Sequence, residues 1–163
     1  MKDSDVRILK KIVSEIEYLE SLLAEIDLGS FLADETIERA SSMTTINVGE
    51  LAKRLSKEFY AEHPGTELRF AAKTRDVYAH GYFTLSFETV YKTAVEDYPR
   101  LKLAVLEMIE EEEAARDALY EEELMEAIGD GRADIAAGRY VVGIESARER
   151  LRQLKNESSG DSE

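Results

Sequence analysis

The sequence predicts an all-α protein. Three observations carry that prediction. Apolar residues recur at spacings of three and four along most of the chain. No stretch of convincing length alternates with the period of two that marks a strand. Pro64-Gly65, Gly81 and Pro99 punctuate the periodic runs.

The elements follow in order. Residues 4–26 read as an amphipathic helix: Leu9, Ile12, Val13, Ile16, Leu19, Leu23 and Ile26 share one face, and Lys10, Lys11, Glu15, Glu17 and Glu20 fill the other. Gly29 is expected to end it. Asp34 is a plausible N-cap for a long second helix striped by Ile37, Ala40, Thr44, Val48, Leu51, Leu55 and Phe59. Gly49, with Ser41, Ser42, Thr44 and Thr45, makes the middle of that helix small-sided, which predicts close approach of a neighbouring helix. Pro64-Gly65 forces a stop. A third helix should run from about Glu67 to His80 and end at Gly81. Ser86 can cap a fourth, with Phe87, Val90, Tyr91 and Val95 as its apolar set. Pro99 is expected to break that helix and start a fifth, since proline suits the first turn. The fifth buries Leu101, Leu103, Ala104, Leu106 and Ile109, then becomes very polar. Gly129, Gly131 and Gly138 are expected to interrupt it. Residues 140–154 read as one more short helix, and NESSGDSE as a disordered tail. The expected division is a helical domain over 1–109, an acidic helical extension over 110–155 and a tail over 156–163.

A chain of 163 residues fits one domain with an appendage. Zero cysteines exclude disulfides and thiolate metal sites. No apolar run approaches the ~20 residues that span a bilayer, and MKDSDVRILKK carries no signal-peptide core. A cytoplasmic protein without a membrane partner is the simplest reading. The net charge of -14 disfavours general attraction to nucleic acid, because phosphates are met by Lys and Arg. That charge is uneven. Residues 1–106 hold 14 basic and 18 acidic residues, and residues 107–163 hold 7 and 17. A phosphate-handling site in the first part would have to be local.

One stretch can supply such a site: RDVYAHGYF, Arg75 to Phe83. On a helix, Asp76 and His80 are i, i+4 neighbours, so the carboxylate can fix the tautomer and orientation of the ring. At about 100° per residue, Arg75 and His80 lie about 140° apart. A distorted helix end at Gly81, or a second copy across a symmetry axis, would bring them together. An imidazole titrating near neutrality can take a proton from a ribose 2′-hydroxyl. A guanidinium can bind two phosphate oxygens and stabilise the charge that builds on them. No metal or cofactor is required. The same residues also have a purely structural reading, Arg75 bridging a neighbouring acid and His80 closing a helix. His63 lies in a turn and reads as a solvated or capping residue. The Glu110–Glu113 run reads as a solvated helix face.

From residue 4 to about 106 the chain resembles HepT-type minimal HEPN toxins. RASSMTTINVGELAKRLS (Arg39 to Ser56) is similar to the family's stretch centred on an Ile-Gly-Glu-Ala step, with Leu51 standing before Ala52 here. Arg75, Asp76, His80 and Tyr82 match the motif of Arg, a polar residue, three variable residues, His, any residue and Tyr. TVYKTAVEDYPRLK (Thr89 to Lys102) resembles the helix, proline and helix that follow. GTELRF replaces the Pro-Trp pair that often precedes the motif helix. The resemblance implies an up-and-down bundle of four to five helices that dimerises, so that two motifs meet in one cleft. It implies metal-independent endoribonuclease activity by Arg75 and His80, supported by Asp76, with RNA as substrate. It also implies a nucleotidyltransferase partner that AMPylates Tyr82 and so blocks the cleft. A second reading keeps the bundle and the partner but no catalysis: a docking module that presents substrate to the nucleotidyltransferase.

DIAAGRYVVGIESARERL (Asp134 to Leu151) faintly resembles the toxin-binding tails of RelB- and ParD-type antitoxins. The acidic extension is expected to compete with RNA, to bind a partner, or merely to lengthen the bundle.

Overall fold

The computed structural model describes residues 1–80, 86–139 and 149, with the backbone alone for 77–80. Every regular element among the described residues is helical. They are α1 (Asp3–Leu23), α2 (Leu28–Leu32), α3 (Glu35–Lys53), α4 (Lys57–Glu62), α5 (Leu68–His80), α6 (Phe87–Lys92) and α7 (Tyr98–Ala136). No described helix is long and apolar enough to cross a membrane.

The predicted stripe of α1 is the stripe that is buried. Leu9, Ile12, Ile16 and Leu19 are completely inaccessible, and each such side chain contributes roughly 1.5–3 kcal/mol of transfer free energy. They meet Phe31, Val48, Ala52, Phe59, Leu68, Val90 and Val105 from every other helix of the bundle. α3 is central and lies against both α1 and α5. Its inner face is built from Ser41, Ser42, Thr44, Thr45, Val48, Gly49 and Ala52. Ser41 Oγ and Thr45 Oγ1 have no hydrogen-bond partner among the described residues, whereas the other two hydroxyls bond back to the helix's own carbonyls. Ser42 Oγ donates to the Glu38 carbonyl at 2.8 Å, and Thr44 Oγ1 donates to the Ala40 carbonyl at 3.0 Å.

Four expectations change. α1 ends at Leu23, and Gly29 sits inside α2, a single turn capped by the Asp27 side chain (Ser30 N–H, 2.8 Å) that plugs the core with Phe31. The long second helix is two helices. Leu55 and Phe59 keep the apolar spacing across the gap, which hid it. Ser56 caps α4 by accepting the Phe59 N–H, and the buried Asp5 carboxylate holds Ser56 through its N–H (2.9 Å) and hydroxyl (2.7 Å). Pro99 lies in the first turn of α7, as expected, but no break precedes it. Thr93–Asp97 is a π-helical turn between α6 and α7, and the Tyr98 N–H reaches back five residues to Thr93. A proline ring collides with the carbonyl four residues earlier in a regular helix, and widening the turn by one residue relieves that crowding. Gly129 and Gly131 lie within α7; only Gly138 ends it, at φ 69°, with its own N–H to Ile135 and the Arg139 N–H to Asp134 closing a Schellman motif. The expected helix over 140–154 and the expected tail lie outside the described residues, apart from Glu149.

The chain divides within α7 into two compact units, Met1–Ala115 and Arg116–Glu163. Among the described residues, the buried hydrophobic ones all fall between Val6 and Ile109. Glu113 of the Glu110–Glu113 run is no mere solvated residue: it accepts from Lys10 of α1 at 2.7 Å. A chain ending at Ala115 should therefore unfold cooperatively with a Tm within a few degrees of the full chain. Circular dichroism melting checks this; loss of cooperativity would place part of the stabilising core beyond Ala115.

Candidate active site

Arg75 and Asp76 stand on α5 where it crosses α3. The crossing is set by one glycine. A Cβ on Gly49 would lie 2.6 Å from the Ala71 carbonyl oxygen and would collide with the Cβ of Arg75. The small-sided middle of α3 is thus a close-approach surface, as its composition predicts, and the side chain it admits is the arginine of the motif.

The next residue of α3 uses that proximity. Glu50 pairs through Oε1 with Arg75 Nε. Arg75 Nη1 donates to Asp76 Oδ1 at 3.1 Å. Lys53, one turn after Glu50, pairs with the same Asp76 oxygen. The result is a four-residue ladder, Glu50, Arg75, Asp76 and Lys53, with alternating charge. It occupies the Nε and Nη1 positions of a guanidinium that carries five donors. Lys53 and Arg75 hold the Asp76 carboxyl below its ordinary value of 3.8, the bond from Lys53 being the larger cause.

Glu50 and Lys53 were not assigned a role from sequence. Glu50 was visible only as part of the Val48-Gly49-Glu50-Leu51-Ala52 step, and nothing in one sequence links it to a position 25 residues later. α5 is helical through His80, so the Arg75 and His80 positions keep their angular separation of about 140°. The side chain of His80, and with it the expected Asp76–His80 contact, lies outside the described residues, as does Tyr82. His63 is the C-cap of α4, its N–H bonded to the Phe59 carbonyl at 2.9 Å and its ring 4.8 Å from that of Phe59. The capping reading stands.

Two outcomes follow from this geometry. Gly49→Ala gains about 1 kcal/mol of helix propensity but pushes α5 away at backbone and side chain, an overpacking penalty of roughly 1–3 kcal/mol. The net expectation is a Tm lower by several degrees, measured by calorimetry, with Gly49→Leu worse. The second concerns acid. A carboxyl with a lowered folded-state pKa stabilises the fold above its unfolded value, and that contribution disappears as pH falls through the folded value. Asp76 should thus support stability from about pH 4 upward and lose that role below it. Asp76→Asn should flatten the acid limb of the Tm-against-pH curve while leaving its shape above pH 5 unchanged.

Comparison with known proteins adds the family. Residues 12–108 match the family model described as "Ribonuclease HepT-like". The chain is 33% identical over 102 residues to a protein of Thermococcus cleftensis named "Probable ribonuclease HepT", a match covering 63% of this chain and 93% of that protein. It is 29% identical over 104 residues, 64% of this chain and 93% of the relative, to a protein of Caldanaerobacter subterraneus subsp. tengcongensis named "Putative RNase TTE0752". No solved structure matches. With its helical bundle, its arginine-bearing α5 and a family match over more than half its length, the chain belongs to the HepT-like ribonuclease family.

Proposed function

We propose that the protein is an endoribonuclease toxin of the cytoplasm, cutting RNA without a metal in a cleft shared by two copies. The observation that supports this reading best is the way Arg75 is held. Glu50 and Asp76 fix the guanidinium from two sides, which lowers the entropy lost when its remaining donors grip a phosphate.

His80 takes the proton of a ribose 2′-hydroxyl. The 2′-oxygen then attacks the adjacent phosphorus, the bond from phosphorus to the 5′-oxygen breaks, and the leaving oxygen is protonated by the imidazolium of the second copy. The products are a 2′,3′-cyclic phosphate and a 5′-hydroxyl. Arg75 stabilises the charge on the non-bridging oxygens as it builds. Asp76 is a positioning residue that keeps the Arg75 fork in place. The pairing of two copies supplies what one helix lacks, because positions about 140° apart on α5 do not converge on one atom.

Tyr82, two residues beyond His80, is the site at which a partner nucleotidyltransferase adds AMP. The added nucleotide brings an anionic phosphate and a bulky base next to the motif, excluding RNA by charge and volume. The competing reading is a non-catalytic module that docks a nucleotidyltransferase. The two separate at His80. Arg75→Ala and His80→Ala should each lower cleavage of single-stranded RNA by at least about a hundredfold, relieve growth arrest on expression and leave partner binding intact. Equal growth arrest by wild type and both variants overturns the nuclease reading in favour of docking. Intact mass after co-expression with the neighbouring nucleotidyltransferase should rise by whole AMP units, and Tyr82→Phe should abolish the increment.

A further inference from the structure

A chain of net charge -14 repels a polyanion except where cations gather without their own counter-charges. Many cations of the first unit are neutralised: Lys2 by Glu58, Lys10 by Glu113, Lys92 by Glu88, Arg100 by Asp97 and Lys102 by Glu20. Arg7, Lys11 and Arg54 differ. All three are exposed and pair with no carboxylate among the described residues.

They also lie together. One concavity is lined by Ser4, Arg7, Ile8, Lys11 and Arg54. A larger open groove of about 490 Å³ shares Lys11 and Arg54 with it and is also lined by Ser14, Glu15, Asn47, Glu50 and Leu51. The packing explains the cluster. Arg7 and Lys11 are i, i+4 neighbours on the exposed face of α1, about 6 Å apart along its axis. Arg54 follows the last residue of α3, which lies against α1. Like charges at this helical spacing cost stability, and neither Arg7 nor Lys11 forms an ion pair among the described residues. Two acids also line the larger groove: Glu50 pairs with Arg75, while Glu15 accepts from Asn47 Nδ2 at 3.4 Å and keeps its charge. The carboxylate that holds the motif arginine, Glu50, is thus part of the groove's lining.

We propose that this groove binds the phosphate backbone of single-stranded RNA, with Arg7, Lys11 and Arg54 meeting phosphates on the way to Arg75. The proposal deepens the nuclease reading and rests on it for the direction of the strand. Contacts of this kind carry affinity and no sequence preference, so the ligand class is a single-stranded polyphosphate chain rather than a defined sequence.

The test uses the full chain bearing His80→Ala, so that RNA stays intact, and fluorescence anisotropy with a labelled mixed-sequence single-stranded RNA long enough to span both concavities. Adding Arg7→Glu, Lys11→Glu and Arg54→Glu together should weaken binding by about a hundredfold or more, and should lower the slope of log affinity against log salt by about 2, since each lost phosphate contact contributes roughly 0.7. The corresponding triple glutamine variant should give the same direction with a smaller loss, and it replaces the glutamate variant if that one does not fold. In the chain that retains the native His80, the same three substitutions should raise KM for long RNA, with kcat holding. Unchanged affinity and salt slope overturn the groove, whatever the nuclease assays give. Loss of nucleotidyltransferase binding with RNA affinity intact also overturns it and makes the groove a protein-docking surface. Failure of the nuclease reading is a separate result, read from Arg75→Ala and His80→Ala.

Discussion

The site depends on a missing atom. Gly49 has no Cβ, so α5 lies against α3 closely enough that Ala71 and Arg75 occupy the space a side chain would fill. Two helices joined at ordinary spacing would leave Arg75 to wave from an exposed face. Here its aliphatic stem is packed against α3 while its head meets Glu50 and Asp76. The same glycine thus sets the packing distance of two core helices and the position of the motif arginine. Stability and function are coupled at this point, because any residue that restores the Cβ must move the backbone that carries Arg75.

Other anchors hold the crossing in register. Asp5, buried at the start of α1, fixes Ser56, which caps α4. The Tyr60 hydroxyl of α4 donates to the Ala52 carbonyl of α3 at 2.7 Å, and Arg69 of α5 stacks over the Tyr60 ring at 4.4 Å while donating to the Tyr60 carbonyl at 2.6 Å. α3, α4 and the start of α5 are thereby tied through hydrogen bonds whose lengths tolerate little sliding. A one-turn slip of α5 would separate Arg75 from Glu50 and Asp76 from Lys53 together. The π-helical turn before Pro99 plays a related part, since it lets α6 pass into α7 without a kink that would withdraw Val105 and Ile109 from the core.

The helices were legible where one face decides their fate. The stripe of α1, the Asp34 cap, the span of α5 and the Ser86 cap all follow from local spacing and local hydrogen-bonding chemistry. Breaks were less legible when apolar spacing continued through them, as at Leu55 and Phe59, because the cause was a carboxylate 51 residues away. Glycines misled in the opposite sense. Gly129 and Gly131 lower helix propensity, yet two substitutions of about 1 kcal/mol each do not stop a 39-residue helix that holds strong helix formers on both sides. At the site, the motif gave Arg75 and Asp76 from a run of nine residues. Glu50, Lys53 and the basic groove were not legible, because they join positions from different helices, and only packing places Arg54 beside Lys11.

The charge pattern of the ladder has a consequence for substrate binding. Glu50, Arg75, Asp76 and Lys53 sum to zero in formal charge, and the two cationic neighbours of Asp76 lower its pKa. The ladder therefore offers a phosphate oriented donors but no net attraction. Such a site favours the transition state, where charge on the non-bridging oxygens is greatest, over the ground state, where it is least. It does so at the expense of affinity, and the surrounding protein is negative. On the proposed reading affinity is supplied by cations that stand apart from the scissile bond, and Arg7, Lys11 and Arg54 are an exposed cluster in concavities one of which Glu50 also lines. On that reading, separating attraction from stabilisation in this way would let an acidic chain hold RNA through a few local contacts while the motif arginine remains fixed by its own carboxylates.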